Sequence, residues 1–342
     1  MKTTFSRLAK LATALCPVLL CAGAREQLSA DALRAFAQGA IIEIDLRVVD
    51  STGKPVEGAS VNVGLSRKQS DDFKSYAGRT DTNGNWRIEA RCSNLIHVRV
   101  TKEGHYETRI DRHLFSVDYA DVNRRVKGRR WSPWEQIVVL KEKRRPIPMF
   151  CGTKERGFSI PRNAAVGFDF ERGEPLKPYG NGEYPDIMLV FSSNAPMKFS
   201  PARTNGLEIS TANSDEGFIK KTFDAQSAFK SIYECPEADY VRKMSFSFAY
   251  SYTKVDNQRF PAGEYLVFRT RARHDEHGNL VGSRYGKIYS LSFDDDPDTP
   301  GNGFISLSYR FNPNENDRNL EWDGEDLSSG RKYDIDKILA PL

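Results

Sequence analysis

The chain has 342 residues, of which 39% are apolar, 28% are charged and 11% are aromatic. This composition provides enough apolar material for one large domain or two ordinary ones, and it excludes a chain that is disordered throughout. The formal net charge is +4. Three of the basic residues (Lys2, Arg7 and Lys10) lie in the N-terminal segment, so the remainder carries only about +1, which does not indicate a nucleic-acid partner.

Residues 1–24 have the pattern of a signal peptide. The basic residues precede an apolar segment, residues 11–20, and residues 22–24 (Ala-Gly-Ala) supply the small side chains that signal peptidase requires. The apolar segment is about half the ~20 residues of a membrane-spanning helix. We therefore expect an exported protein with no transmembrane segment in the mature chain; a lipid anchor on Cys21 is the alternative.

A short helix and then a series of strands are predicted next. In residues 25–40, Ser29 is a suitable N-cap and Gly39 ends the apolar pattern of a helix. Apolar side chains then occupy alternate positions in four segments, residues 42–48, 59–65, 86–92 and 96–100. Short alternating segments separated by turns predict an antiparallel β-sandwich.

Three segments within this region carry a family resemblance. They are residues 49–63 (VDSTGKPVEGASVNV), 78–88 (GRTDTNGNWRI) and 98–106 (VRVTKEGHY). Residues 41–141 thus resemble the carboxypeptidase regulatory-like domain. The resemblance implies a transthyretin-like (prealbumin-like) β-sandwich that accompanies a catalytic or cell-surface partner and has no catalytic residue of its own.

The second half is predicted to form another β-rich domain. Residues 142–149 combine charges with two prolines and are expected to be an extended linker. Residues 150–330 again alternate, except for a predicted helix at residues 224–232, and residues 331–342 form a polar tail. The predicted fold is all-β: a short helix after the signal peptide, a transthyretin-like sandwich, and a second, mostly β domain.

The cysteine count is odd once the signal peptide is removed. Cys16 and Cys21 leave with it, and Cys92 continues an alternating apolar series that points into a core. Cys151 and Cys235 are left in the second half, where an oxidising compartment would allow them to pair.

The sequence contains no recognised catalytic motif. A zinc carboxypeptidase needs a His-x-x-Glu pair, and none of the five histidines has a Glu three residues later. Serine-hydrolase and nucleotide-binding motifs are also absent. We therefore predict no catalytic residues and no enzyme activity.

Two sets of residues are candidates for binding. Asp294, Asp295, Asp296 and Asp298 place hard oxygen ligands close together, as calcium prefers, but a solvated loop that protects a sheet edge is the favoured explanation. Calcium is the only cofactor that the sequence suggests. The candidates for ligand contact are aromatic residues in predicted loops: Trp131, Trp134, Tyr179 and Tyr184.

Taken together, these features predict an exported, non-catalytic binding, adhesion or structural protein of the bacterial periplasm or cell surface. Its partner would be a protein or a glycan of the cell envelope. The first alternative is a hydrolase directed at glycans or peptides, with a carboxylate site among residues 169–186 or 294–326. The second alternative is a carbohydrate-binding module.

Overall fold

The computed structural model describes residues 27–67, 72–153, 157–194, 202–223, 226–251, 255–258 and 263–333. The predicted signal peptide, with Cys21, and residues 334–342 of the predicted tail lie outside this part. The described chain is mostly β, which confirms the all-β prediction. Among its helices, none is both long and apolar enough to span a membrane.

The two described helices are Ala30–Gln38 (α1) and Tyr119–Arg125 (α2). The strands of the N-terminal half are Ala40–Asp50 (β1), Ser60–Ser66 (β2), Phe73–Arg79 (β3), Asn85–Cys92 (β4), Leu95–Thr101 (β5), Thr108–His113 (β6), Val126–Lys127 (β7), Arg130–Trp131 (β8) and Trp134–Leu140 (β9). The strands of the C-terminal half are Ile147–Gly152 (β10), Gly157–Pro161 (β11), Ala165–Asp169 (β12), Glu174–Pro175 (β13), Ile187–Ser193 (β14), Ala202–Ser210 (β15), Gly217–Thr222 (β16), Lys243–Ser251 (β17), Val255–Gln258 (β18), Glu264–His274 (β19), Leu280–Asp295 (β20), Asn302–Phe311 (β21), Trp322–Asp326 (β22) and Arg331–Lys332 (β23).

The N-terminal β unit consists of two sheets. One has the order β4-β1-β8-β7, with β9 also paired to β1, and the other has the order β3-β2-β5-β6. Alternate residues of β1 and β2, such as Ile44 and Val63, are fully buried and belong to one core between the sheets. The predicted β-sandwich core is therefore present, and its transthyretin-like topology stays a prediction.

Helix α1 lies within the predicted helical segment 25–40. The Ser29 hydroxyl accepts a hydrogen bond from the backbone N–H of Ala32 (3.1 Å), as an N-cap does. Gly39 follows the helix with a φ of +75°, a conformation that glycine adopts without a steric penalty. Both predicted ends of the helix pattern are thus observed.

The C-terminal β unit contains two larger sheets. One has the order β16-β19-β20-β21-β10-β22-β23, with β11 also paired to β21, and the other has the order β13-β12-β14-β15-β17-β18. Their shared core is rich in phenylalanine; for example, the rings of Phe170 and Phe268 stack with centroids 4.5 Å apart.

The predicted helix at residues 224–232 is wrong. The described part of this segment is irregular, because it pairs with the N-terminal unit: Ser227 forms a β-bridge with Thr108. The Phe229 ring stacks on Tyr106 at 5.1 Å. These contacts between the two β units form what we call the seam.

Glu321 joins the linker to the seam. Its buried carboxylate accepts hydrogen bonds from the Tyr106 hydroxyl (3.0 Å) and from the backbone N–H groups of Arg144 (2.8 Å) and Arg145 (2.7 Å). One side chain of the C-terminal unit thus holds both the linker and a tyrosine of the N-terminal unit.

The seam also buries the ammonium group of Lys287. This group donates to the Ser231 hydroxyl (2.7 Å) and to the Leu320 carbonyl oxygen (2.9 Å), and Lys141 donates to the Ser231 carbonyl oxygen (2.7 Å). Burial, followed by the positive charges of Arg310 and Lys141, lowers the pKa of Lys287 from 10.5 to about 7.

Candidate functional site

The outward side of the sheet β3-β2-β5-β6 is polar. Successive side chains of a strand point to opposite faces, so the burial of Val61 and Val63 places Asn62 and Gly64 on the outward face. In the same way, burial of Val98 places His97 and Arg99 outward on β5. The strand period therefore creates a polar outer face on an apolar core.

The strand register arranges these outward residues in rows across the sheet. Gly64 lies opposite Ser75 on one side and His97 on the other, and His97 lies opposite Asp111. The next row contains Asn62, Arg99 and Arg109. Together these rows line a hollow of about 470 Å³. We call this hollow the groove.

Gly64 helps to form the floor of the groove. A Cβ atom added there would lie 3.7 Å from the His97 Cβ and 3.8 Å from the Phe73 ring, which are ordinary contact distances. The sheet would therefore accept a side chain at this position. The effect of glycine is to leave open the space above β2 that a larger residue would fill.

An aromatic residue and a paired histidine form one wall of the groove. The rings of Phe73 and His97 have centroids 4.7 Å apart, with planes tilted by 46°. The Nδ1 atom of His97 lies 2.5 Å from Oδ1 of Asp111, and both side chains are nearly half exposed. Because Asp111 holds one ring nitrogen, Nε2 is left as the nitrogen available to a ligand.

A buried carboxylate fixes two arginines in the other wall. The Glu107 side chain is only 3% exposed, and its carboxylate accepts hydrogen bonds from Nη2 of Arg99 (2.6 Å, to Oε2) and from Nε of Arg109. These bonds orient both guanidinium groups. When His97 is neutral, the positive charges of Arg99 and Arg109 are balanced by the negative charges of Glu107 and Asp111.

A second hollow lies on the same face of the sheet, farther along β2 and β5 toward the seam. It is lined by Ser60 and Thr101, which lie opposite each other across β2 and β5. This pair is two residues along the strands from the pair of Asn62 and Arg99. The volume of the hollow is about 680 Å³. We call this hollow the seam end; the side chains around it are more basic and include Arg79, Lys102, His105 and Lys143.

The two predicted tryptophan contacts are wrong. Trp131 and Trp134 are only 3% and 4% exposed and belong to the core of the N-terminal unit. The indole N–H of Trp131 donates to the backbone carbonyl oxygen of Cys92 (3.0 Å), which satisfies its one polar atom inside the core. Neither ring is accessible to a ligand.

The two predicted tyrosine contacts are exposed, but they lie in the C-terminal unit and not in the groove. Tyr179 and Tyr184 are 43% and 41% exposed. The Arg271 guanidinium lies 4.7 Å from the ring centroid of Tyr184. A cation thus already contacts one ring.

The four aspartates proposed for calcium are not assembled into a cation site. Asp294 accepts from the Asn205 amide (2.8 Å), Asp295 from Arg162 (2.9 Å), and Asp296 from the backbone N–H of Asp298 (2.9 Å). Within the described ranges, no group of three or more His, Cys, Asp or Glu side chains is placed to hold a metal ion. The acidic segment bonds to the surrounding loops and strands.

The predicted disulfide is also wrong. Cys151 and Cys235 are both buried free thiols. They lie in different apolar clusters, Cys151 with Trp322 and Cys235 with Tyr265. Burial raises the pKa of each thiol to about 12, so neither is a reactive thiolate near neutral pH.

The carboxylates of residues 169–186 are occupied by structural bonds. Asp186 accepts from Arg271 Nε (2.7 Å), the Thr270 hydroxyl (3.0 Å) and the backbone N–H of Phe170 (2.9 Å). Asp169 accepts backbone bonds from Glu183 and Tyr184 in the same loop, at 2.9 and 3.1 Å. Their arrangement holds the loop on β19 and leaves neither group directed at an open cleft.

Sequence reasoning missed the residues of the groove. Alternation predicts the buried positions of β2 and β5, but β3 and β6 lie outside the four segments in which apolar side chains alternate. Gly64 inside a strand was an available signal, because glycine there weakens a strand and often marks a close approach by a ligand or another backbone.

Comparisons with known proteins identified no matching family model and no matching curated protein. Among solved structures, a 3-chlorocatechol 1,2-dioxygenase from Rhodococcus opacus 1CP matches with 12% identity and a TM-score of 0.26, over 35% of this chain and 68% of that chain. A catechol 1,2-dioxygenase from Acinetobacter sp. ADP1 matches with 16% identity and a TM-score of 0.23, over 30% of this chain and 53% of that one. The dioxygenase domain of a dioxygenase carbohydrate-binding protein fusion from Streptomyces sp. SirexAA-E matches with 12% identity and a TM-score of 0.25, over 31% and 83%.

These matches contradict two predictions. The matched structures are enzymes, so the prediction that the chain is not an enzyme is withdrawn. The prediction that no cofactor beyond calcium is used is withdrawn on the same matches. The TM-scores are too low for the activity of these enzymes to be transferred to this chain.

Proposed function

We propose that this protein is exported and binds a carbohydrate chain of the cell envelope in the groove of its N-terminal β unit. The observation that carries the proposal is the groove itself. It combines an aromatic wall with hydrogen-bonding side chains from three strands, over a floor that Gly64 leaves open.

The chemistry of the groove matches that of a sugar. Sugar hydroxyls both donate and accept hydrogen bonds, and the groove offers donors on Arg99, acceptors on Asp111, and both on Asn62 and Ser75. The C–H faces of a sugar ring are apolar and fit against an aromatic side chain such as Phe73. A few polar groups beside an apolar surface are typical of a small-ligand site.

Rigidity supports the same interpretation. The groove side chains stand on paired strands, and Glu107 fixes both arginines before any ligand arrives. Little side-chain freedom is therefore lost on binding. With His97 neutral, the charges of the groove balance, and the groove then has no net charge that would favour an ion over a neutral polyol.

The test is a glycan array followed by titration calorimetry on the best glycan, with Gly64→Val as the decisive variant. Valine suits a strand and fills the open space, so we expect the fold to be kept and the affinity to fall at least about tenfold. Ile137→Ala changes an exposed residue of strand β9 in the other sheet and serves as the control, with affinity unchanged.

Two outcomes would refute the proposed function. One is the absence of any glycan that binds, and the other is undiminished binding by a folded Gly64→Val protein. Export is tested separately by fractionating cells and sequencing the mature N-terminus, which we expect to begin at Arg25.

A further inference from the structure

The seam end differs from the groove in the charge of the side chains that line it. Three cationic side chains, Arg79, Lys102 and Lys143, surround it together with His105. The carboxylates that line it are Glu103 and Glu107. Glu107 is already bonded to Arg99 and Arg109, so Glu103 is the lining carboxylate that remains to balance Arg79 and Lys102.

Two of these cations are held by backbone groups. Arg79 donates from NH1 to the Gly58 carbonyl oxygen (3.3 Å), and Lys102 donates to the Glu57 carbonyl oxygen (2.7 Å). Among the described residues, neither forms an ion pair with a carboxylate. A guanidinium has five N–H donors and an ammonium three, so each retains donors for an anion.

The seam end and the groove lie on the same face of the sheet. His97 and Thr101 lie on the same face of β5, four residues apart, which corresponds to about 14 Å along a strand. An oligosaccharide, and not a single sugar ring, would therefore be needed to occupy both hollows.

We propose that the seam end binds a carboxylate of an acidic oligosaccharide, so that the ligand of the groove is a uronate-containing glycan. This inference rests on the proposed function and adds the chemical class of the ligand. Hydroxyls and ring faces of the glycan occupy the groove, and an acid group reaches Arg79, Lys102 and Lys143.

The experiment compares acidic oligosaccharides with their carboxyl-reduced counterparts. Oligomers of galacturonate, mannuronate and hyaluronan are titrated into the full mature protein, each beside the form in which the carboxylate has been reduced to an alcohol. We expect at least one acid to bind about tenfold more tightly than its neutral counterpart in low salt. We also expect 0.5 M NaCl to reduce that preference, because salt screens exposed charges.

A triple variant assigns the effect to the seam end. Replacing Arg79→Gln, Lys102→Gln and Lys143→Gln together is expected to remove the preference for the acid, so that the variant binds the two members of each pair with affinities within about twofold of each other. Lys127→Gln removes the same kind of charge from an exposed site on the other sheet and is expected to change neither affinity.

The outcomes separate this inference from the proposed function. If the reduced form binds as tightly as the acid in every pair, or if the triple variant keeps the preference, the inference is overturned while carbohydrate binding stands. If no acidic or neutral glycan binds, both fail.

Discussion

The buried ammonium of Lys287 makes the stability of the protein depend on pH. The folded protein holds this group at a pKa of about 7, whereas its ordinary value is 10.5. Below pH 7 the group is protonated in both the folded and the unfolded chain. Between pH 7 and 10.5 the folded chain loses the proton and the unfolded chain keeps it, so the free energy of unfolding rises with pH.

The size of the effect follows from the two pKa values. At 1.36 kcal/mol for each pH unit, the whole interval corresponds to about 5 kcal/mol, and the interval from pH 7 to 9 corresponds to about 2–3 kcal/mol. Lys287→Met keeps a similar length and removes the titrating group. It also removes the bonds to Ser231 and Leu320, but that loss is nearly constant across the pH range.

The assay is urea unfolding at pH 6, 7, 8 and 9 and constant ionic strength. We expect the free energy of unfolding of the wild-type protein to rise between pH 7 and 9, and that of Lys287→Met to lack this part of the rise. Lys127→Met, at an exposed site, controls for the removal of a lysine and is expected to keep the wild-type slope. Identical slopes for Lys287→Met and the wild type would refute the reasoning.

Two further predictions concern buried groups. Asp186→Asn breaks a buried charge pair with Arg271 and is expected to lower the free energy of unfolding, measured with urea, by about 3–5 kcal/mol. The control is Asp298→Asn at an exposed position, which is expected to change that free energy by less than about 0.5 kcal/mol. Iodoacetamide at pH 8 is expected to leave Cys92, Cys151 and Cys235 of the folded mature protein unmodified, because all three thiols are buried. In urea without a reductant, all three are expected to be labelled, because they are free thiols. Labelling of Cys92 alone in urea would show that Cys151 and Cys235 form a disulfide.

The sequence was most informative where local pattern determines structure. Alternation from Ile42 to Val48 predicts β1, since one face of that strand is buried and the other is not. Ser29 and Gly39 bound α1 because both act through the backbone within one helical turn.

Features that depend on distant parts of the chain were not predictable in this way. Residues 224–232 have a helical pattern, but Phe229 packs on Tyr106 from the other β unit, and this contact outweighs local preference. The residues next to Trp131 in the sequence predict a loop, but they do not reveal that its ring packs in the core of the N-terminal unit. The candidate site needs the pairing of β5 with β6, which places His97 opposite Asp111, and a single sequence does not reveal that register.

The bonds of Glu321 to Tyr106 and to the linker also determine how the molecule would respond to mechanical load. The Thr108–Ser227 bridge and the Tyr106–Glu321 bond both connect residues of the N-terminal unit to residues of the C-terminal unit, so tension between the two units would act on them. These bonds would have to break before the linker could lengthen under tension. The arrangement suits a stiff tether better than an elastic one.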